Sequence, residues 1–309
     1  MTRYIIKRLL YMVPMLFLVI LMVFLIMSLT PGDPATNVLP ITTPPEVKAA
    51  YNESVGFSAS LPVRFGTYLR GLAKGDVTSY TSGNNVFDEL RRRIPLTLRL
   101  GIISFAIASV LGVALGILSA VKQYSFLDTA LTVFAVLFAS IPSFFVAILM
   151  LLYFAVNKGL LPSFGMNDGI RSYILPVTTI VIGSVPILSR MTRSAMLGAL
   201  QQDFIRTARA KGVPERSVIW KHALKNASFP IITLLLSGFA GVIGGSVIAE
   251  SIFSLPGIGM YMLDAIHTKN VPGVMTCALI LSAVYMLAMV LMDISFALID
   301  PKVRTRYQA

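Results

Sequence analysis

Apolar residues in this chain gather into runs of roughly 20, the length that spans a hydrocarbon layer, separated by polar segments rich in Pro and Gly. The first run, residues 9–29, is apolar except for Ser28 and follows Arg3, Lys7 and Arg8. It is longer than a signal-peptide core and leads into Thr30-Pro31-Gly32-Asp33-Pro34 instead of a small-residue cleavage pattern. The pattern predicts an uncleaved transmembrane helix with its N-terminus inside, which Pro14 kinks or shortens. Runs at 96–121, 129–156, 173–188, 229–252 and 275–299 predict five further spans, which places both termini in the cytoplasm. The expected fold is an all-α polytopic membrane protein of six transmembrane helices.

The segments between and within these runs divide the chain. Residues 1–30 hold the N-terminal tail and first span, 31–95 an extracytoplasmic loop, and 96–309 a core of five helices with a cytoplasmic loop at 190–228. Within the outer loop, 61–72 spaces its apolar residues at helical intervals. Arg91, Arg92 and Arg93 stand just ahead of the second span, as headgroup anchors or as contacts to an external partner. Gly112-x-x-x-Gly116 in the second span allows close helix approach. Ile141-Pro142-Ser143 interrupts the third, either as a packing kink or as a break beside a permeation path. Gly238, Gly241, Gly244 and Gly245 leave one face of the fifth nearly bare, for tight packing or for lining a pathway.

Composition agrees: 56% hydrophobic residues, 13% charged and a mean hydropathy of +0.79 describe an integral membrane protein. The net charge of +12 does not indicate nucleic acid, because the basic residues flank apolar runs, as positive-inside topology requires. Cys277 is the single cysteine, so no internal disulfide forms, and His222 and His267 have no neighbouring ligands for a metal.

The chemistry concentrates in the loop after the fourth span. From Arg190 to Lys225 it carries eight Lys or Arg against two acids, Asp203 and Glu215. Asp203 is a suitable N-cap for a helix over 204–211, and Gly212-Val213-Pro214 a suitable stop. Pro214 then opens a second helix, with Glu215 at its positive end and Lys221, His222 and Lys225 at its negative end. A short helix with small residues on one side and cations on the other can enter a cleft in a soluble partner. It can equally lie on anionic lipid.

Arg206-Thr207-Ala208-x-x-x-Gly212 resembles the signature loop of bacterial ABC-importer membrane subunits, a Glu-Ala-Ala-x-x-x-Gly pattern that begins the helix docking on the ATPase subunit. The replacements match the dipeptide/oligopeptide/nickel permease branch, in its first-permease type. So do Tyr4-x-x-x-Arg8-Leu9-Leu10, Pro31-Gly32-Asp33-Pro34 and the stretch from Glu250 to Gly259, in order along nearly the whole chain. Lys269-Asn270-Val271-Pro272 departs from the Arg-Asp-Tyr-Pro of that branch.

The resemblance implies a type I ABC-importer transmembrane domain in a bacterial inner membrane. It implies a second homologous permease, two ATP-binding subunits carrying ATP and Mg, and an extracytoplasmic binding protein delivering di- or oligopeptides; nickel or another small solute is the alternative cargo. Phe204, Arg206, Thr207, Ala208, Arg209, Lys211 and Gly212 become the docking helix. The chain lacks a phosphate-cradling loop, so it is expected to bind no cofactor and hydrolyse nothing. Glu250, Ser246, Pro142 and Asp293 are the candidates for the translocation pathway, Glu250 having a bland alternative in reaching headgroups or capping the next loop. If those acids instead relayed protons or sodium, the chain would be an ion-coupled secondary transporter.

Overall fold

A computed structural model describes residues 2–299, which fold into α-helices and two π-helical segments. Strands are absent among the described residues; Thr78 and Asn85 form an isolated antiparallel bridge. Four helices are each long and apolar enough to cross a bilayer: α1 (Thr2–Leu29), α5 (Val86–Val121), α8 (Arg171–Leu200) and α13 (Val271–Ile299). The pair α6 (Phe126–Ser140) and α7 (Ser143–Met150), the latter continued by a π-helical segment at Leu151–Asn157, counts as a fifth if taken as one span. Its two halves are bent by 94° at Ile141-Pro142, a break in the chain's course and not a mild kink. α11 (Leu224–Ile252) is a 29-residue helix, about 43 Å long at 1.5 Å per residue.

Two compact units divide the chain: Arg99–Phe253 with the last turns of α13, 287–299, and Thr2–Leu98 with Ser254–Met286. In the first, α8 packs along α11, α6 and α7. Gly112 and Gly116 serve this packing: a Cβ on Gly112 would stand 2.6 Å from Leu188 Cβ, and one on Gly116 would stand 2.5 Å from the Ser189 carbonyl oxygen. The small pair of the second span is therefore a close crossing of α5 over α8.

The second unit centres on Ile20 and Phe24 of α1, Tyr68 of α4 (Leu61–Lys74), Val86 and Leu90 of α5, and Val271, Met275 and Cys277 of α13. The helical spacing at 61–72 is realised as α4, which ends on Gly75 at φ 69°. Two short helices precede it, α2 (Pro34–Val38), whose N-cap Asp33 accepts from the Thr36 amide, and α3 (Pro45–Ser54). α5 begins at Val86, ahead of its apolar run: Asn85 Oδ1 accepts from the Phe87 amide, and Asp88 and Glu89 fill the first turn, where the helix dipole favours acids. Arg91 to Arg93 consequently sit on a helix, with Arg93 5.0 Å over the ring of Tyr261. Tyr261 belongs to α12 (Ile258–His267), a short helix between the runs that predict the fifth and sixth spans.

Lys269 and Asn270 are not surface residues. Lys269, at φ 56° and 6% exposed, donates to the carbonyls of Met27 (3.2 Å) and Thr30 (2.8 Å). Asn270, 1% exposed, accepts from the Tyr80 amide at 2.9 Å and donates to Ser79 Oγ at 2.8 Å. The pair ties α1 and the segment after α4 to the start of α13.

Candidate docking and pathway site

The basic loop of the sequence becomes a helical corner. α8 runs on through Arg190 and Arg193 to Leu200, and α9 (Asp203–Ala210) follows after a two-residue turn, Gln201-Gln202. Gln202, not Asp203, is the N-cap, because its extended backbone (φ −73°, ψ 151°) precedes the first helical turn; its side chain makes no capping bond. Asp203 stands in that turn, where it favours the dipole and lies 3.7 Å from Arg206. Gly212 stops the helix as the sequence predicts, at φ 76° with nothing within 4 Å of where a Cβ would be.

The second helix differs from expectation. α10 (Glu215–Ser217) passes through a π-helical segment, Val218–Ala223, directly into α11, so Lys221, His222 and Lys225 cap no C-terminus. The wider π turn accommodates the junction. The side chain of Asn226 donates to the His222 carbonyl one turn back.

α9 is fixed by an inner face and offers an outer one. Ile205 (0% exposed) and Ala208 are buried with Met196, Ala199, Val218, Ala223 and Ala227. Phe204, Arg206, Thr207, Arg209 and Lys211 are exposed. Ala208 thus holds the helix down and is turned away from any docking partner. Arg209 closes the corner with a bidentate pair to Glu215, Nη2 to Oε1 at 2.6 Å and Nε to Oε2 at 3.1 Å. The Arg209 guanidinium holds the Glu215 carboxyl below its ordinary 4.5. Behind the helix lies a cleft of about 310 Å³ edged by Ala195, Gln202, Phe204, Asn226 and Pro230.

A buried clasp stands beside this corner, on the last turns of α8. Arg193 of α8 grips Asp128 of α6 bidentately, Nε to Oδ1 at 2.7 Å and Nη2 to Oδ2 at 2.8 Å. Ser119 of α5 donates to the same carboxylate, as does the Tyr124 amide at 3.0 Å. Ser125 caps α6 by accepting from the Asp128 amide. Sequence reasoning missed this clasp, since its partners are 65 positions apart; the available signal was an arginine within a largely apolar helix, which needs an anion.

α11 has two faces. Ser237, Gly241, Gly244 and Ile248 are exposed along one stripe, while Val242, Ser246, Ala249 and Glu250 are buried on the other. Gly241 and Gly244 meet nothing within 4 Å, so they do not pack tightly inside this chain; Gly245 lies outside the described positions. Gly238 and Gly241 instead border an apolar cavity of about 410 Å³ with Phe105, Gly183, Ile187 and Leu188. Ser246 and Glu250, both 0% exposed, face away from the glycine stripe, and burial removes the reading that Glu250 reaches headgroups. Pro142 is exposed at the α6–α7 break, beside Ser143, whose Cβ is 3.8 Å from the place of a Gly183 Cβ. The side chain of Asp293, and Lys302, Arg304 and Arg306, lie outside the described residues.

Comparison with known proteins finds relatives along nearly the whole sequence. Over 98% of the chain it is 37% identical to all of an oligopeptide transport system permease protein of Haemophilus influenzae. It is 35% identical to a glutathione transport system permease protein of Salmonella choleraesuis (98% of this chain, 99% of the relative). A probable peptide ABC transporter permease of Sinorhizobium fredii is 33% identical over 97% of this chain and 99% of its own length. Among solved structures, an inward-facing MetNI methionine ABC transporter chain overlays with a TM-score of 0.56 at 19% identity, covering 68% of this chain and 96% of that one, a likeness of fold. The model for the inner membrane component of binding-protein-dependent transport systems matches residues 112–305, and that for its N-terminal part residues 1–101. A multi-helical bundle with a cationic corner helix, matched along both segments, places this chain in the family of binding-protein-dependent transport system inner membrane components.

Proposed function

We propose that the chain is the membrane-spanning permease subunit of an ATP-driven importer for peptides, with α9 as the element that docks on an ATP-binding subunit. The observation that carries this reading is the design of α9: an inner face buried through Ile205 and Ala208, an outer face of cations and Phe204, and a glycine stop. A helix held only by lipid would need an apolar face of its own turned outward; here the apolar face is already occupied by the chain. The similarity to peptide, oligopeptide and glutathione permeases supports the cargo class.

In this reading α11 joins the four apolar helices and the bent pair as the sixth span, with both termini in the cytoplasm. A second homologous permease completes the pathway, two ATP-binding subunits carry ATP and Mg, and an extracytoplasmic protein delivers the peptide. The chain contributes mechanics. Closure of the ATP-binding subunits displaces α9, and α8 and α11, packed on it through Met196, Ala199 and Ala227, carry the displacement to the glycine-bordered cavity. ATP and the loaded binding protein each shift the equilibrium only by preferring one of the two states. The open stripe of Gly241 and Gly244 is the surface offered to cargo or to the second permease.

The test is uptake of labelled di- and oligopeptides and of nickel by a strain lacking the chain, complemented with wild type or with the Gly212→Asp variant. Peptide uptake restored by wild type alone, with ATP-binding subunits co-purifying only with wild type, is the expected result. Normal transport and co-purification in the variant would remove α9 from docking, and nickel uptake in place of peptides would reassign the cargo.

A further inference from the structure

We propose that the unit formed by Thr2–Leu98 and Ser254–Met286 contains a binding site for a short peptide, held by its terminal carboxylate at Arg64 and by its terminal amine at Asp76. The site is a cavity of about 730 Å³ whose wall includes both residues, together with Tyr51, Tyr68, Ser79 and Tyr80. Small-molecule sites have volumes of about 300–1,000 Å³ and combine an apolar lining with a few placed polar groups.

Arg64 is the reason to place an anion there. It lies in the first turn of α4 at 8% exposure, and its Nε and Nη2 have no hydrogen-bond partner among the described residues. Its guanidinium stacks 4.1 Å over the ring of Phe57 and 5.7 Å from that of Phe24. Stacking fixes the plane of the group but satisfies none of its N–H donors, and a buried guanidinium without acceptors carries an uncompensated desolvation penalty. The neighbouring charge is again positive: Lys269, already engaged by the Met27 and Thr30 carbonyls, lies within the field of Arg64. A carboxylate matches this fork bidentately and supplies the missing countercharge.

Asp76 marks the other end. It follows the C-cap Gly75 of α4 and is exposed at the rim, where among the described residues its Oδ1 accepts only a long 3.5 Å hydrogen bond from Asn85 Nδ2 and so has lone pairs left for an ammonium. Gly71, whose carbonyl accepts from the Asp76 amide at 2.9 Å, is separated from Arg64 along α4 by roughly 10 Å of helix axis. An extended chain of three residues, at about 3.3–3.6 Å each, covers a comparable length. The aromatic walls are held in place, Tyr51 donating to the Tyr80 carbonyl at 2.6 Å and the Tyr68 hydroxyl lying 3.3 Å from Thr276 Oγ1. The ligand class rests on the peptide-importer reading; the location rests on the cavity and Arg64.

The experiment measures equilibrium binding of trialanine, trialanine amide and N-acetyl-trialanine to the assembled transporter in neutral-lipid nanodiscs, without binding protein. Saturable trialanine binding is expected, weakened about tenfold or more by amidation or by Arg64→Met, as loss of a charge-assisted hydrogen bond requires. Arg64→Lys should recover part of it. Asp76→Asn, on the exposed rim where folding is not at stake, should lose the discrimination against the N-acetylated peptide. Equal binding by wild type and Arg64→Met, absence of saturable binding, or no discrimination between acid and amide would overturn the site. Displacement of trialanine by phosphatidylglycerol in the nanodisc, or by inorganic phosphate, would overturn the peptide and leave a phosphate site. Uptake of trialanine by the same complex in sealed proteoliposomes, with its binding protein added, separates the two readings: intact uptake with no Arg64-dependent binding rejects the site alone, whereas uptake of nickel and no peptide rejects the cargo.

Discussion

Gly116 and Gly212 are both glycines beside helices, yet they are required for opposite reasons. Gly116 has no room for a methyl group, since the Ser189 carbonyl oxygen and Thr192 Cβ would lie 2.5 and 2.6 Å from it. Gly116→Val is expected to destabilise the α5–α8 crossing by about 1–3 kcal/mol, as overpacking does, visible as a lower unfolding temperature in detergent. Gly212 has open space but a left-handed backbone at φ 76°. There Gly212→Asn should be nearly neutral, so that the loss expected of Gly212→Asp comes from the negative charge it adds to the cationic face, while Gly212→Val should be costly, on the order of 1–2 kcal/mol, with the loss appearing as weaker retention of ATP-binding subunits. Glu215 adds a pH dependence: its carboxyl is held below 4.5 by Arg209, so its contribution is complete above that value and disappears as pH falls through the lowered one. Both partners are about half exposed, so the effect is local and screened by salt. The protection of the Gly212 amide, its exchange rate taken relative to the intrinsic rate at each pH, should fall on acidification in wild type and show no such step in Glu215→Gln.

At the scale of elements, the framework around α9 depends on a clasp that no segment of sequence announces. Breaking Asp128–Arg193 leaves a carboxylate of 5% exposure unmatched, so Arg193→Ala should cost about 2–4 kcal/mol, toward the low side of buried pairs because Arg193 itself is 26% exposed. Arg193→Lys should recover only part, since an ammonium cannot reproduce the fork. Thermal unfolding of both variants checks this. α11 divides its labour by face, and substitutions should follow the division. Ala at Gly241 or Gly244 meets no atom within 4 Å, so folding should survive; if the stripe serves cargo or the second permease, uptake falls while the chain stays folded. Uptake equal to wild type in both variants would remove the stripe from either role.

For the molecule as a whole, the distribution of its +12 charge sets the expected orientation. Cys277 is 0% exposed and should not react with a membrane-impermeant thiol reagent in intact cells, which permits single-cysteine mapping. A cysteine at exposed Lys74 should be labelled from outside, and one at exposed Lys211 only after the membrane is opened. Labelling at Lys211 in intact cells would invert the topology.

Much of this was legible in the chain itself. Runs of about 20 apolar residues admit only helices in a bilayer, because every backbone polar group must find its partner within the segment. Charge beside those runs, the helical spacing of 61–72 and the stop at Gly212 are local properties, and local chemistry decides them. Tertiary structure decided what depends on distance through space. It sent Ala208 inward, placed Ser246 and Glu250 opposite the glycine stripe, and made Lys269 and Asn270 internal ties. It also bent the α6–α7 pair by 94°, ran α10 into α11, and paired Asp128 with Arg193 across 65 positions. A sequence fixes which groups demand burial or a partner; only packing selects which face is covered and which of many distant groups becomes that partner.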